Sequence, residues 1–249
     1  MVSNDSFPQP MVTFCFDDGS RKQVEQALLI LRAAGRIPAT FAVIVSKLYP
    51  ENDRPGKHIK VAELRELVAT GHEVAAHGWE HIAMPGLEES RIRDDLDLSK
   101  SILKEEGART ETFVYPYGAF TDRVVTCVHE AGFTAARGIQ PGTNRPSQHP
   151  HKLLCKMLRS QTTASDIHDW IGYAKQECRW LIVVAHEIES GLRLKRRSAL
   201  CEFATTPETL KMLVDRAQQE GLKPVTIRQG RDLMEPTRLA NVKKMRELA

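Results

Sequence analysis

The sequence predicts an α/β fold in which a mostly parallel sheet closes, or nearly closes, into a barrel covered by helices. Short apolar segments alternate with helical patterns along the chain, the order that produces parallel strands joined by crossover helices. Seven or eight such strands occur within 249 residues, and a single barrel of this type takes about 250. No glycine-rich phosphate-binding motif follows any strand, so an open nucleotide-binding sheet lacks its usual support.

The candidate strands are β-branched or aromatic runs bounded by turn-forming or polar residues. They span residues 11–16, 40–45, 73–76, 112–115, 133–136, 153–158, 181–185 and 224–227. The candidate helices repeat apolar residues every three or four positions, and most end beside a glycine. They span residues 24–34, 61–70, 88–106, 122–131, 165–176 and 207–220. We therefore expect one catalytic barrel over residues 10–230 and a charged extension over residues 231–249.

Composition and charge exclude several classes of protein. The 35 basic and 32 acidic side chains leave a formal net charge of +3, too small to indicate bulk nucleic-acid binding. No apolar stretch approaches the ~18 residues that a membrane span requires. The sequence begins without the pattern of a signal peptide, and its five cysteines contain no C-x-x-C pair. We expect a cytoplasmic protein with reduced thiols.

Polar residues collect where four of the predicted strands end. Asp17 and Asp18 follow the first strand, and the segment HGWEH at 77–81 follows the third. The segment YPYG at 115–118 and the lone His186 end two later strands. In a barrel of parallel strands, the loops after the strands share one face, where active sites assemble. We therefore expect two aspartates and three histidines around one cavity.

The spacing of His77 and His81 is typical of a pair of metal ligands. Imidazoles four residues apart align on one side of a helical turn. A carboxylate from Asp17 or Asp18 would complete the three-ligand set of a catalytic divalent site, with zinc as the usual ion. The alternative is a solvated helix face that binds no metal. The acidic pair and His186 at other strand ends favour the metal site.

Four motifs support a more specific interpretation: FCFDDG at 14–19, HGWEH at 77–81, YPYG at 115–118 and VAH at 184–186. In this order they resemble the motifs of the polysaccharide deacetylases, carbohydrate esterase family 4, also known as the NodB homology domain. The resemblance covers roughly residues 10–230. It implies a distorted (β/α) barrel, commonly of seven strands, and the metal-dependent removal of acetyl groups from N-acetylated or O-acetylated sugars.

The resemblance also implies a role for each matching residue. Asp18, His77 and His81 would bind the metal, either Zn²⁺ or one of Co²⁺, Ni²⁺ and Mn²⁺. Asp17 would be the general base, His186 the general acid, and the backbone N–H of Tyr117 part of the oxyanion hole. These roles agree with the chemistry of water attack on an acyl carbonyl. The expected reaction cleaves an amide bond, N-acetyl in preference to O-acetyl, and not a peptide bond.

The sequence departs from the family pattern at the third motif. Many members have an arginine there that orients the base, and Val114 occupies that position here. Arg159, at the end of a predicted strand, resembles an arginine of a subset that lacks the earlier one. We expect Arg159 to orient Asp17, and the alternative is a surface arginine. The family's Asp–Trp motif is matched only weakly at 166–170, which is more simply a capped helix.

The expected partner is an acetylated sugar or small glycoconjugate. A basic run at 193–197 (RLKRR) follows His186 closely. It would favour an anionic sugar if it lined the cleft, but a solvated loop is the simpler interpretation. Two other functions compete: hydrolysis of a small non-sugar amide on the same barrel, and carbohydrate binding without catalysis. The set of base, acid and metal ligands argues against the second.

Overall fold

The computed structural model describes residues 5–189 and 202–235 of the chain. Seven parallel strands follow one another around the barrel in chain order, and β1 pairs with β7 as well as with β2, which closes it. The strands are β1 (Met11–Phe16), β2 (Thr40–Val43), β3 (Glu73–Ala76), β4 (Thr112–Val114), β5 (Ala135–Pro141), β6 (Leu153–Met157) and β7 (Trp180–Ala185). The predicted closed, parallel barrel is confirmed.

The helices of the described residues cover the outside of this barrel and its amino-terminal end. They are α1 (Arg21–Ala33), α2 (Val61–Ala69), α3 (Glu89–Glu105), α4 (Asp122–Glu130), α5 (Ala164–Gln176), α6 (Pro207–Gln219) and α7 (Ile227–Asp232). The first six each bury one apolar face, as α1 does with Val24, Ala27 and Leu31. Within residues 5–189 and 202–235, the search for a helix long and apolar enough to cross a bilayer finds none.

Among the described residues, three short strands follow β7. Two of them, β8 (Glu187–Ile188) and β9 (Ala204–Thr205), pair with each other in parallel, apart from the barrel sheet. The third, β10 (Lys223–Pro224), pairs with β1. Because β8 begins two residues after β7 ends, the pair of β8 and β9 lies at the carboxyl-terminal end of β7.

The eighth predicted strand, at 224–227, is mostly not a strand. Only its first residue belongs to β10, and α7 begins three residues after β10 because Thr226 caps that helix by accepting a hydrogen bond from the backbone of Gln229. The apolar character of this run reflects burial inside the barrel rather than a strand. Helix α7 also crosses the boundary expected at residue 230, and residues 236–249 of the expected extension lie outside the described residues.

Side-chain alternation along β1 explains how the first motif is aimed. Val12, Phe14 and Phe16 pack against the surrounding helices, whereas Met11 and Cys15 belong to the cluster inside the barrel. The next residue in the inward phase is Asp17. The strand therefore directs Asp17 over the barrel interior at its carboxyl end.

Candidate active site

The carboxyl ends of β1, β3 and β4 finish in turns with unusual backbone geometry. Asp18, His81 and Tyr117 have φ angles of +74°, +60° and +57°. They account for three of the five non-glycine residues with positive φ in the described parts of the chain. This conformation costs a non-glycine residue about 1–3 kcal/mol and concentrates at functional sites. The strain thus coincides with the residues that the motifs single out.

Asp18, His77 and His81 form the candidate metal centre. One ligand atom from each residue lies within 4.8 Å of the other two, and the described residues contain no second group of this kind. Oδ1 of Asp18 is 3.5 Å from Nε2 of His77 and 3.6 Å from Nε2 of His81. The structure therefore brings together the three residues expected to bind metal, and it selects Asp18 rather than Asp17 as the carboxylate of the group.

The surroundings of these residues fit a divalent cation. Oδ1 of Asp18 is buried, and its two imidazole neighbours are too distant for good hydrogen bonds, which leaves a costly unsatisfied acceptor. Nδ1 of His77 lies 2.7 Å from the carbonyl oxygen of Val114 and must donate to it. The lone pair of Nε2 is then free for a metal, the usual arrangement of a ligating histidine. One carboxylate and two imidazoles suit zinc and similar ions.

The electrostatics favour the ligating forms of Asp18 and His81. Burial raises the pKa of Asp18, but the proximity and charge of His77, with the charges of His186 and His81, outweigh burial and hold the pKa well below its ordinary value. Burial and the neighbouring charge of His77 lower the pKa of His81 to about 4. Asp18 is therefore ionised and His81 neutral near pH 7, as metal binding requires.

Asp17 lies beside this centre, and only 2% of its side chain is exposed. Nη2 of Arg137 donates to both carboxylate oxygens, at 2.5 and 2.7 Å, and Sγ of Cys15 donates to one of them at 3.5 Å. Burial raises the pKa of Asp17, but the charges of Arg137, His186 and His77 lower it below its ordinary value. Asp17 is therefore a buried, ionised carboxylate, the form that accepts a proton.

The arginine that contacts Asp17 is Arg137. The prediction that Arg159 orients Asp17 is therefore wrong. Arg137 lies in β5, two residues after Ala135, so both side chains point into the barrel, where Arg137 is completely buried. The strand predicted at 133–136 stops one residue before Arg137, whereas β5 continues to Pro141. The signal that could have found Arg137 is its position two residues after Ala135, because alternate residues of a strand point to the same side.

Arg159 lies elsewhere because β6 ends at Met157, before Arg159 is reached. Its backbone N–H donates to Oγ1 of Thr162 in the turn that follows, at 2.9 Å. Its guanidinium forms an ion pair with Glu202 and stacks over the ring of Phe203, 5.0 Å from the ring centroid. The structure thus supports the alternative interpretation of a partly exposed arginine near the barrel mouth.

His186 directly follows β7, and Nε2 of its ring is 3.6 Å from Oδ2 of Asp17. The carbonyl of His186 accepts a hydrogen bond from the Gln23 amide, which also donates to the carbonyl of Ala185 at 2.9 Å. These bonds attach the end of β7 to α1. The imidazole is 22% exposed, so it contacts the buried carboxylate and solvent at the same time, a suitable position for passing a proton.

Tyr117 lies at the opening, where 63% of the residue is exposed and its ring centroid is 4.4 Å from that of His81. Gly118 continues the turn with a φ of +66°, and a Cβ there would overlap Ile139. Only glycine fits this position without displacement of a neighbour. The turn therefore presents the Tyr117 backbone beside the metal ligands, and its oxyanion role stays a prediction.

Two other sequence features lie away from this centre or outside the described residues. Residues 166–170 belong to α5, where Thr163 and Asp166 form a capping box. This arrangement agrees with the capped-helix interpretation of the segment. The basic run at 193–197 lies outside the described residues.

The chain is similar to a known protein family and to individual proteins. The model of a family described as polysaccharide deacetylase matches residues 4–136, more than half of the chain. The chain is 24% identical over 181 residues to a poly-beta-1,6-N-acetyl-D-glucosamine N-deacetylase of Staphylococcus aureus (strain MRSA252), covering 69% of this chain and 62% of that protein. It is 32% identical over 128 residues to a chitooligosaccharide deacetylase of Sinorhizobium fredii (strain NBRC 101917 / NGR234), covering 51% and 55%.

The chain thus spans less than two thirds of the length of these two relatives. Solved structures share its fold more completely. A family 4 acetyl xylan esterase from Clostridium thermocellum, solved with a cobalt ion, has a TM-score of 0.61 at 18% identity, with 88% of this chain and 89% of that chain covered. The Xyl-CE4 domain of a xylanase from the hindgut metagenome of Trinervitermes trinervoides has a TM-score of 0.60 at 18% identity, with 89% of each chain covered.

Proposed function

The chain belongs to the polysaccharide deacetylase family, and from that premise we propose that it is a metal-dependent hydrolase that removes N-acetyl groups from a carbohydrate or glycoconjugate. The proposal depends on one observation above all: the carboxylate of Asp17 and the imidazole of His186 lie in contact beside a group of three metal-ligand side chains. A barrel that only bound sugar would not require this combination. The relative named as a poly-beta-1,6-N-acetyl-D-glucosamine N-deacetylase supports an amide substrate, and the one named as a chitooligosaccharide deacetylase supports a saccharide.

Asp18, His77 and His81 would hold the divalent cation, for which zinc is the first choice on this donor set. The cation, when bound, supplies Lewis acidity toward the acetyl carbonyl and makes water easier to deprotonate. The protein's own contribution is to keep the ligands in their binding forms. Val114 holds the ring of His77 in the required tautomer, and burial keeps His81 neutral.

The proton transfers are assigned to Asp17 and His186. Asp17 accepts a proton from the attacking water as the water oxygen bonds to the acyl carbon. The backbone N–H of Tyr117 donates a hydrogen bond to the carbonyl oxygen as negative charge develops on it. Protonated His186 then gives its proton to the leaving nitrogen as the C–N bond breaks, which yields acetate and a free amine. Arg137 keeps Asp17 ionised before the attack and holds its carboxylate in place.

The direct test is acetate release by the zinc-loaded protein from N-acetylated chitooligosaccharides and from acetylated xylan. N-deacetylation produces acetate and primary amine in equal amounts, whereas O-deacetylation produces acetate and a free hydroxyl group without any amine. We expect equal amounts, loss of activity with chelator, and recovery on addition of the ion. Activity that a chelator leaves unchanged would overturn the metal role. Hydrolysis of small non-sugar amides without any action on saccharides would instead favour the competing substrate class.

A further inference from the structure

An exposed aromatic ring lies beside the candidate acid His186. The ring centroid of Phe203 is 5.8 Å from that of His186, and 40% of this large apolar residue is exposed. The position is set by the backbone, because β8 directly follows His186 and pairs with β9, which directly follows Phe203. The barrel mouth therefore holds the two rings as neighbours.

Arg159 restrains the same ring from another direction. Its guanidinium carbon lies 5.0 Å from the Phe203 ring centroid, within the range of a cation–π contact. The ion pair with Glu202 fixes the guanidinium, and the carbonyl of Glu202 accepts a hydrogen bond from the backbone of Ser160 at 3.3 Å. An exposed ring held by two neighbours is a preformed surface, which loses little conformational entropy when a ligand packs on it.

We infer that Phe203 is a specificity-determining platform on which a sugar ring of the substrate packs, with Arg159 as its positioning residue. The inference rests on the proposed function. His186 must come within hydrogen-bond distance of the leaving nitrogen, so the sugar that bears this nitrogen lies close to the neighbouring Phe203. A pyranose has a face of C–H groups, and an aromatic ring is the side chain that buries such a face most effectively.

Tyr117 provides a second exposed ring across the mouth. It follows β4, whereas His186 and Phe203 follow β7, and these strands are separated by two strands in one direction and by three in the other. The Tyr117 ring contacts the metal-ligand residue His81, and the Phe203 ring contacts the candidate acid His186. An opening with an aromatic ring on each side suits a saccharide of several units. Phe203 is therefore expected to act more strongly on longer substrates than on a single sugar.

The test compares Phe203→Ala, Phe203→Trp and a matched control, Tyr173→Ala, in the metal-loaded protein. Tyr173 is 53% exposed on α5, away from the mouth. We expect Phe203→Ala to raise KM for tetra-N-acetylchitotetraose roughly threefold to tenfold, with a smaller change in kcat and a smaller change in KM for N-acetylglucosamine. Phe203→Trp should restore most of the affinity, and Tyr173→Ala should match the wild type.

Binding to the inactive Asp17→Asn protein separates this inference from the proposed function. Calorimetry with the tetrasaccharide should show a higher Kd when Phe203→Ala is added to the Asp17→Asn protein, whatever the rate of turnover. An unchanged Kd, or an equal change in Tyr173→Ala, overturns the platform even if the wild type deacetylates the sugar. A wild type that binds the saccharide through Phe203 but releases no acetate overturns the proposed function and leaves the platform in place.

Discussion

Glu73 and Asp18, which lie at opposite ends of the barrel, differ in how their carboxylate oxygens are satisfied. At the amino-terminal end, Glu73 accepts hydrogen bonds from the hydroxyls of Thr112 and Thr40, at 2.5 and 2.8 Å, and from the backbone of Arg228 in α7, at 3.0 Å. At the carboxyl-terminal end, Oδ1 of Asp18 has only long contacts with imidazoles. A satisfied network stabilises the fold, whereas an unsatisfied acceptor is suited to bind a ligand.

One strand connects both regions. Glu73, Ala75 and His77 alternate along β3 and its exit, so all three point inward. Ala75 forms a small buried cluster with Ala42 and Val114 between the two polar levels. In barrels of this type the amino-terminal end serves stability and the carboxyl-terminal end serves chemistry. We therefore expect substitutions at the two ends to separate activity from stability.

The largest expected effect follows from Asp17→Asn at the carboxyl-terminal end. An amide of the same shape cannot accept a proton, so kcat should fall by roughly 10²–10⁴. Metal content measured by mass spectrometry should stay at the wild-type value, because the ligands are unchanged. The matched control is Glu73→Gln, which makes a similar acid-to-amide change at the other end. Full activity of Asp17→Asn would remove Asp17 from its role as base.

The next effect distinguishes Arg137, which contacts Asp17, from Arg159, which does not. Arg137→Leu leaves the buried Asp17 without its charged partner, which should cost about 3–5 kcal/mol of stability. Asp17 acts as a base only when it is ionised, and it loses this form as pH falls through its pKa. Because Arg137 lowers that pKa, its removal raises the pKa, and the base form is lost at a higher pH. The acidic limb of the kcat/KM profile should therefore shift to higher pH.

Arg159→Leu is the matched control for this shift, because Arg159 makes its ion pair with Glu202 instead. Its acidic limb should coincide with that of the wild type. Equal shifts in both variants, or none in Arg137→Leu, would contradict the assignment of Arg137. Denaturant unfolding of both proteins measures the stability difference in parallel.

A smaller effect concerns the pH dependence of metal binding. Burial lowers the pKa of His77, but the proximity of the Asp18 carboxylate and the charges of Asp17 and Asp18 outweigh burial and raise it. Below that pKa a proton occupies Nε2 and competes with the ion. Zinc affinity measured by calorimetry should weaken by about tenfold per pH unit in that range. Affinity that is constant between about pH 5 and 8 would contradict this competition.

The smallest effect is expected from Glu73→Gln at the amino-terminal end. The amide nitrogen cannot accept the hydrogen bonds that Thr40, Thr112 and Arg228 now donate, so unfolding free energy should fall by about 1–3 kcal/mol. Values of kcat and KM should match the wild type. A loss of activity without a loss of stability would contradict the division of roles between the two ends.

Local patterns were sufficient to predict most of the architecture. The strand–helix alternation and the polar residues after β1, β3, β4 and β7 depend on periodicity and turn chemistry, which short segments contain. The run at 224–227 was misassigned because burial inside a barrel and strand formation produce the same apolar pattern. The structure shows instead that Thr226 caps a helix that begins at Ile227.

The sequence by itself determined the barrel, the end at which polar residues gather, and Asp17, Asp18, His77, His81 and His186 as the residues that meet there. Only the tertiary structure decided that Arg137 rather than Arg159 contacts Asp17, and that Phe203 lies beside His186. The physical reason is that strand pairing brings these residues together: β5 carries Arg137 to Asp17 across the barrel, and the pairing of β8 with β9 places Phe203 beside His186. No local period contains information about a partner more than a hundred residues away, as Arg137 is from Asp17.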